Sequence, residues 1–502
     1  MDARVDTAPP RVRESPARPV PGRGGRDLTR GPITRTLLIF SLPLLGANAL
    51  QSLNGTVNQI WVSHTLGEVA ITALGNANIV MMLLLGVVFG VGMAANILVA
   101  QAMGAGNRAL VKRVMGTATT FFLILSLSTA ILGVWLAPHI LALMGAPMES
   151  RPDAIIYLRL ICAALPFMYF FMFLQMAQRG VGDSTTPFWF MALAIVIDIT
   201  LNPLLIIGVG PFPRLGIAGS AMSTLIGQST ALLALITYLY RKNSLLVLWP
   251  SELRLLRPDG EIMMSLVSRG LPMGIQMLVM NAAAVVMISF VNRYGALTSA
   301  AYSISSIVWS YMQMPTMAIG ASVSSMAAQN VGARRWDRVA RVARSGVISG
   351  LVITGAIAGL LYLFNDQVLG VLLPAHSPAL PLARHINKMV LWGLVMFSVT
   401  FSLSGVVRAT GAVWAPMAIL IIGIVLIRLP FAALMTPRFG EDAIWWSFPL
   451  GTCVTAGLTS LYYLRGGWRK SRMLKDDPRE RALDASVGIP ALSPAPEESG
   501  AV

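Results

Sequence analysis

A single carboxylate set in the middle of a long apolar run is the most chemically loaded feature of this sequence. In Ala192-Leu-Ala-Ile-Val-Ile-Asp198-Ile-Thr-Leu-Asn202-Pro203-Leu-Leu-Ile-Ile207, everything around Asp198 is apolar enough to sit in a bilayer. An ionisable group at that depth costs a few kcal/mol or more, so it is by default a functional-site hypothesis. Asn202 follows at i+4, which puts both side chains on one helical face. Pro203 removes a backbone donor and invites a kink just beyond them. The chemistry open to such a group is reversible binding of a cation or a proton. Its plainer alternative is a neutral Asp hydrogen-bonded to the next helix.

Sorting the 22 acids by position favours the first reading. Asp2, Asp6, Glu14 and Asp27 precede the apolar runs, and Asp476, Asp477, Glu480, Asp484, Glu497 and Glu498 follow them. Glu68, Glu149, Asp153, Asp183, Glu252, Asp259, Glu261, Asp337, Asp366, Glu441 and Asp442 fall in loops or at helix ends, leaving Asp198 alone at mid-membrane. The deep cations are as few. Arg428 lies some fourteen residues into its apolar run, ~20 Å along a helix. It suits a cleft lining, a barrier to competing cations, or a side chain that pairs with helix-end carbonyls or snorkels outward. Arg159, near the start of its run, is expected to snorkel. His64, His139, His376 and His385 fall at outer loops or helix ends, without metal spacing or a nucleophile partner. Cys162 and Cys453 fall inside predicted helices and indicate no disulfide framework. With no Gly-rich phosphate loop either, the pattern argues against an enzyme, a cofactor or ATP drive.

The elements that must position these groups are membrane helices. Of the 502 residues 55% are hydrophobic and only 12% charged, and mean hydropathy is +0.69. A soluble chain carries about twice that charged fraction. Runs long enough to cross a bilayer recur twelve times: roughly 37–62, 78–102, 117–137, 154–176, 187–210, 217–239, 271–291, 298–325, 346–364, 389–406, 414–436 and 443–464. The net charge of +16 reflects topology rather than nucleic-acid binding. With both termini on one side, that side carries 30 of the 38 Lys and Arg residues and the other carries six. This bias places both termini in the cytoplasm and supports an even number of spans in the cell inner (plasma) membrane. Residues 1–33 have no apolar core of a cleavable signal peptide. They read as a disordered cytoplasmic tail, as does the Pro-, Glu- and Ser-containing end from 476.

The two halves repeat. Ala100-Gln-Ala-Met-Gly-Ala105 recurs as Ala328-Gln-Asn-Val-Gly-Ala333 at an offset of 228, and Gly67 recurs as Gly295. Leu42-Pro43 recurs as Leu271-Pro272, and Arg179-Gly-Val-Gly before Pro187 as Arg408-Ala-Thr-Gly before Pro416, both at 229. Six spans fit in that offset, so the halves run parallel, a design that binds substrate between two rocking bundles. The expected organisation is a tail at 1–33, a six-helix lobe at 34–240, a basic cytoplasmic loop at 241–268, a second six-helix lobe at 269–464 and a tail at 465–502. Within the loop, the apolar-basic patch 245–257 suits the inner membrane surface.

At these motifs, and at Ser41-Leu-Pro43 and Arg428-Leu-Pro430, the chain resembles the multidrug and toxic compound extrusion (MATE) transporters over about residues 31–465. The resemblance implies an all-α integral membrane protein of twelve helices in two pseudo-symmetric lobes, of the MATE/MOP type. It also implies export of organic, often cationic, compounds against inward flow of protons or sodium ions. The DinF-like branch is similar here in keeping a polar cluster in the first lobe. Carried over, that cluster falls on Asn58, Asp198, Asn202 and Thr224, with Gln51 seven residues before Asn58 joining it. The sequence departs from that branch twice: the first-span acid is Asn58, and the fifth-span pair is reversed, Asp before Asn. The other major branch places acids on spans seven and ten. Here span seven has Met280-Asn281 and span ten has no acid.

The resulting expectation is a monomeric multidrug antiporter working by alternating access, with small organic substrates, a lipid bilayer and no nucleic acid as partners. Asp198, with Asn58, Asn202, Thr224 and Gln51, couples transport to protons, or to a sodium ion on Asp198, Asn202 and Thr224 through hard oxygen ligands. Pro43 and Pro203 serve as bending points, and Arg428, Met172 and Met176 as cleft wall. The Gln-x-x-Gly-Ala motifs are expected to be structural, with Gly allowing close approach and Gln capping neighbouring carbonyls. A lipid-linked oligosaccharide flippase of the same architecture is the alternative, although it needs a cationic cleft and only Arg428 is deep enough to help.

Overall fold

A computed structural model describes residues 25–145, 147–208, 210–372 and 377–474, and these are overwhelmingly helical. The first lobe begins with α1 (Ile33–Gly104), which holds two spans in one 72-residue element, broken at Gly67 with φ 78° and ψ −169°. An L-residue is strained at that φ, so only Gly makes the break cheaply. The lobe continues with α2 (Arg108–Leu143), α3 (Arg151–Gly180), α4 (Thr185–Ile207) and α5 (Ile217–Arg241). The second lobe holds α6 (Gly260–Asn292), α7 (Ala296–Gly332), α8 (Trp336–Leu363), the short α9 (Asn365–Leu372) and α10 (Ala379–Ala409). Its eleventh span is composite: α11 (Trp414–Ile421), a π-helical stretch Ile422–Arg428 and α12 (Leu429–Phe439). The last span is α13 (Asp442–Arg465). Gly295, the repeat partner of Gly67, sits between α6 and α7 with φ 95° and ψ 176°, so the repeat is visible in backbone geometry.

Ten of the twelve spans are apolar and long enough to cross a membrane by composition alone. The other two, α7 and α13, are long enough, at 37 and 24 residues, but more polar. Their polar side chains face protein: Ser305, Ser322, Ser324, Ser325 and Asn330 on α7 and Ser447, Thr455 and Thr459 on α13 are all buried. A span need not be apolar where it faces other helices.

The hydrogen bonds and the shared core that join the lobes gather toward one end. The end holding the loops 105–107, 181–184, 333–335 and 410–413 is basic, and both described chain ends lie there. The first-lobe core continues across it into Val323, Met326, Val339, Val342 and Val406 of the second lobe. A separate core around Met287, Tyr302, Trp309, Leu391, Trp445 and Phe448 fills the far half of the second lobe. Every described hydrogen bond between the lobes lies in the basic half, the deepest joining Asn96 and Ser325. Glycines permit the close contact. A methyl group on Gly90 would meet Gly270 O and Gly274 N at 2.3 Å, and one on Gly104 would meet Gln329 O at 1.8 Å.

One expectation for the connecting segments needs correction. Residues 25–32, expected within a disordered tail, form a strap across the basic end. Leu28 is fully buried, its N–H donates to Gln329 Oε1 and its carbonyl accepts from Asn330. Arg26 N–H donates to Gly182 O in the first lobe, while Arg335 reaches Thr29 O from the second. One buried leucine and five backbone hydrogen-bonding groups explain the order, and an Arg-, Pro- and Gly-rich composition does not advertise them. The remaining residues of both tails lie outside the described residues, and so does His376.

The inter-lobe patch 245–257 docks on α2. Pro250–Leu256 forms a 3-10 turn, Lys112 Nζ bonds Val247 O and lies 2.7 Å from Glu252 Oε2, Thr120 Oγ1 donates to Leu256 O, and Arg113 pairs with Asp259. Partial burial opposes ionisation of both acids. The Lys112 and Trp249 N–H hydrogen bonds nonetheless hold Glu252 below its ordinary carboxylate range, and Arg113 with the Ile262 and Glu261 N–H groups does so for Asp259. A carboxyl with a depressed folded-state pKa stabilises above its unfolded pKa and loses that contribution as pH falls through the folded value. Docking of this segment should therefore be at full strength above about pH 4.5, the ordinary glutamate value, and weaken only below it. Hydrogen exchange of the 250–259 amides, corrected for intrinsic rates, should rise on acidification below that point before the amides of mid-α2 respond. Unchanged protection would show that the ion pairs do not hold the segment.

Candidate functional site

The site is built where α4 and α5 pack unusually closely. Gly219, Ser223 and Gly227 recur every four residues on one face of α5, a small-residue stripe that lets helices approach. A methyl group on Gly227 would meet Ala194 O at 2.8 Å and one on Gly219 would meet Leu205 O at 2.5 Å. That approach brings the α5 hydroxyls onto Asp198, which is 4% exposed and sits 13 residues into α4. Ser223 Oγ donates to its Oδ1 at 2.5 Å, and Thr224 Oγ1 lies 3.3 and 3.4 Å from its two oxygens.

The first arm of α1 supplies the other wall. Asn54 Nδ2 donates to Asp198 Oδ2 at 2.9 Å. One turn on, Asn202 Nδ2 donates to Asn58 Oδ1 at 2.9 Å, and Ser220 Oγ donates to the same oxygen at 2.8 Å. The pairs 54/198 and 58/202 share one separation of 144 residues, so α1 and α4 run parallel with two matched rungs. Tyr157 of α3, also buried, lies near Asn58 and Asp198. All donors to Asp198 are neutral, and among the described residues no Lys or Arg forms a salt bridge with it. Asn202 Oδ1 is buried without a hydrogen-bond partner.

Four of the five residues expected at the coupling site thus come together: Asp198, Asn58, Asn202 and Thr224. Gln51 does not, being exposed and without a described hydrogen bond. Three of the assembled groups were missed. Asn54 stands four residues before Asn58, mirroring the spacing of Asp198 and Asn202, and Ser220 and Ser223 lie within the same hydroxyl-rich stretch as Thr224. The bending points stay helical: α1 runs on past Pro43 and α4 continues through Pro203 to Ile207, ending at Gly208 with φ 78°. Met176, expected on a cleft wall, is instead 3% exposed and packs near Gly92, whereas Met172 is half-buried against the first-lobe core. Cores recruit Met for its adaptable shape as readily as binding surfaces do. Arg159 is exposed and donates to Val134 O.

No group of three or more His, Cys, Asp or Glu able to hold a metal occurs among the described residues. What surrounds Asp198 is a set of hydroxyl and amide oxygens, a donor type that suits a proton or a hard monovalent cation.

The repeated motifs meet each other across the basic end. Gln101 Nε2 of the first lobe donates to Ala409 O of the second at 2.6 Å. Gln329 Nε2 of the second donates to Gly180 O of the first at 2.9 Å. A methyl group on Gly104 would overlap the Gln329 backbone, and one on Gly332 would meet Gln101 O at 2.0 Å. Each Gln-x-x-Gly-Ala motif therefore grips the other repeat's Arg-x-x-Gly turn, forming a two-fold clasp that the strap at Leu28 reinforces through the same Gln329.

In the second lobe, Arg428 ends the π-helical stretch and its guanidinium carbon lies 3.5 Å from the centroid of the Phe448 ring. It forms no salt bridge or hydrogen bond among the described residues.

This architecture has close counterparts. The MatE family model matches residues 43–204 and again 272–434. The chain is 33% identical over 445 residues to the probable multidrug resistance protein YoeA of Bacillus subtilis, covering 88% of this chain and 96% of that one. It is 24% identical to the multidrug export protein MepA of Staphylococcus aureus, covering 87% and 95%. In three dimensions it superimposes with a TM-score of 0.82 on the outward-facing conformation of a multidrug resistance MATE family transporter of the MOP superfamily, at 20% identity and covering 89% and 99%. A crystal structure of MATE in complex with MaL6 gives 0.83 at 21% identity, covering 90% and 100%. With its two repeats matched in order and both lobes of the fold in place, the chain belongs to the MatE family of multidrug and toxic compound extrusion (MATE) transporters.

Proposed function

We propose that this protein is a multidrug efflux antiporter that exports organic compounds as protons, or sodium ions, flow inward onto Asp198. The observation that carries this reading is the environment of that carboxylate: buried, held only by neutral donors and without a cationic partner. A charge so placed is costly unless it is neutralised. A proton or a monovalent cation arriving from the far end neutralises it and rearranges the Asn54, Ser223 and Thr224 hydrogen bonds. Those bonds join α1, α4 and α5, so ion binding changes how the first arm of α1 packs, with Pro43 as the point where it bends. Ion and substrate then favour different states of one two-state molecule, the thermodynamic requirement for exchange. The names of YoeA and MepA support drugs as the substrate class. The positive-inside bias puts the basic end in the cytoplasm of the inner membrane, so the clasp is the inner gate, closed in the conformation described. The protein works as a monomer, since one chain holds both the buried carboxylate and the two halves of the clasp.

Asp198→Asn should insert and fold yet lose at least tenfold of gradient-driven dye export from proteoliposomes, with Ser223→Ala losing a few-fold and Gln51→Ala less than twofold. Imposing pH and sodium gradients separately identifies the ion, and export by Asp198→Asn at the wild-type rate would remove the carboxylate from the mechanism. The gate has its own test. Removing one Gln–carbonyl bond costs about 0.5–1.5 kcal/mol. Gln101→Ala with Gln329→Ala should accordingly shift the population several-fold or more toward states open at the basic end. Spin-label distances across that end should lengthen, and Gly332→Val should lengthen them further; distances like those of the wild type would refute the clasp as a gate.

A further inference from the structure

The two deepest charges occupy equivalent places in the two repeats, and they have opposite signs. Asp198 lies 11 residues beyond Pro187 in the fifth span, and Arg428 lies 12 residues beyond the matching Pro416 in the eleventh. The π-helical stretch Ile422–Arg428 accounts for the added residue, because a π-bulge is a one-residue insertion in a helix, frequently at a functional site. Both side chains lie against the last span of their own lobe, Asp198 against α5 and Arg428 against α13.

The surroundings differ as the charges do. Where α5 offers hydroxyls, α13 offers the face of Phe448 and the bare backbone of Gly451, whose added methyl would meet Arg428 Cβ at 3.1 Å. Phe448 belongs to a buried aromatic group with Tyr302, Trp309 and Trp445. Arg428 Nε has no hydrogen-bond partner, nor has Trp445 Nε1 in the same aromatic group. No carboxylate pairs with the guanidinium among the described residues. The residue keeps some accessible surface. Stacking on Phe448 engages one face of the guanidinium and leaves the in-plane N–H fork free, the geometry that takes two oxygens of an oxyanion side by side.

We propose that Arg428 on its Phe448 platform is an oxyanion-recognition site in the second lobe, taking the carboxylate or phosphate of an amphiphilic substrate that carries negative charge. The substrate range then includes zwitterions and anions besides cations, and the ion site and the anion site are held in separate lobes. The proposal deepens the efflux reading by naming a substrate class, but its test does not depend on ion coupling. Arginine acts here as a binding residue, and Phe448 positions it.

The experiment is equilibrium binding to the purified protein, by fluorescence polarisation, of a rhodamine with a free carboxylate and of its methyl ester, which share the cationic ring system. The wild type should prefer the carboxylate form by about tenfold, the size of one charge-assisted pair. Arg428→Gln should abolish that preference by weakening the carboxylate form. Arg428→Lys should retain part of it, keeping the charge without the fork, and Phe448→Leu should reduce it. A wild type that binds both forms alike, or an Arg428→Gln protein that weakens both equally, overturns the proposal. Asp198→Asn should keep the preference even where coupled export is lost, which separates failure here from failure of the coupling reading. Displacement of the carboxylate probe by phosphatidylglycerol micelles would identify a lipid phosphate as the natural oxyanion, and resistance to it a soluble substrate; both retain the site.

Discussion

A carboxylate buried in an apolar helix with no cation beside it sets the terms for the first lobe. Asp198 is tolerable there because Asn54, Ser223 and Thr224 direct three neutral donors at its two oxygens. Supplying them requires α5 to approach α4 to within backbone contact, which only glycine at 219 and 227 permits. It also requires α1 to run parallel to α4 in register, so that Asn58 and Asn202 meet one turn beyond. The polar ladder and the small-residue stripe are thus two parts of one solution. Neutral donors stabilise the charged group without cancelling its charge.

The second constraint is duplication. A two-lobed molecule that must open and close needs contacts strong enough to hold one state and few enough to release it. The repeat answers with one motif used twice: Gln101 reaches Ala409 and Gln329 reaches Gly180. Hydrogen bonds to turn carbonyls are modest in net strength, so the clasp can hold the basic end shut without locking it. The glycines at 104 and 332 let the backbones touch, and the strap at Leu28 ties into the same Gln329. At the far end the second lobe keeps its own aromatic core.

Duplication did not preserve the interior. Equivalent depths hold an acid among hydroxyls and amides in one lobe and an arginine over an aromatic ring in the other. Hydroxyls and amides surround the acid, and the face of an aromatic ring lies against the guanidinium.

Much of this was legible in the sequence. The apolar periods gave the spans, the basic residues gave a common side for the termini, and the offset of 228–229 gave two parallel lobes, because these are properties of one helix or one repeat at a time. Elimination singled out Asp198, since an isolated carboxylate in an apolar run needs no partner to be recognised. Asn58, Asn202 and Thr224 followed from the family resemblance. What the sequence did not determine was which faces meet. Spacing places Gln51, Asn54 and Asn58 on one face of α1 but does not say how far along that face the contact with α4 extends; Asn54 and Asn58 reach α4, while Gln51, a turn earlier, stays exposed. Met176 reads equally as cleft or core until Gly92 is seen to pack near it, and the order of residues 25–32 depends on acceptors and donors some 300 positions away. Tertiary structure decided these because helix rotation and inter-lobe contact are set jointly by many distant side chains, and no local pattern records them.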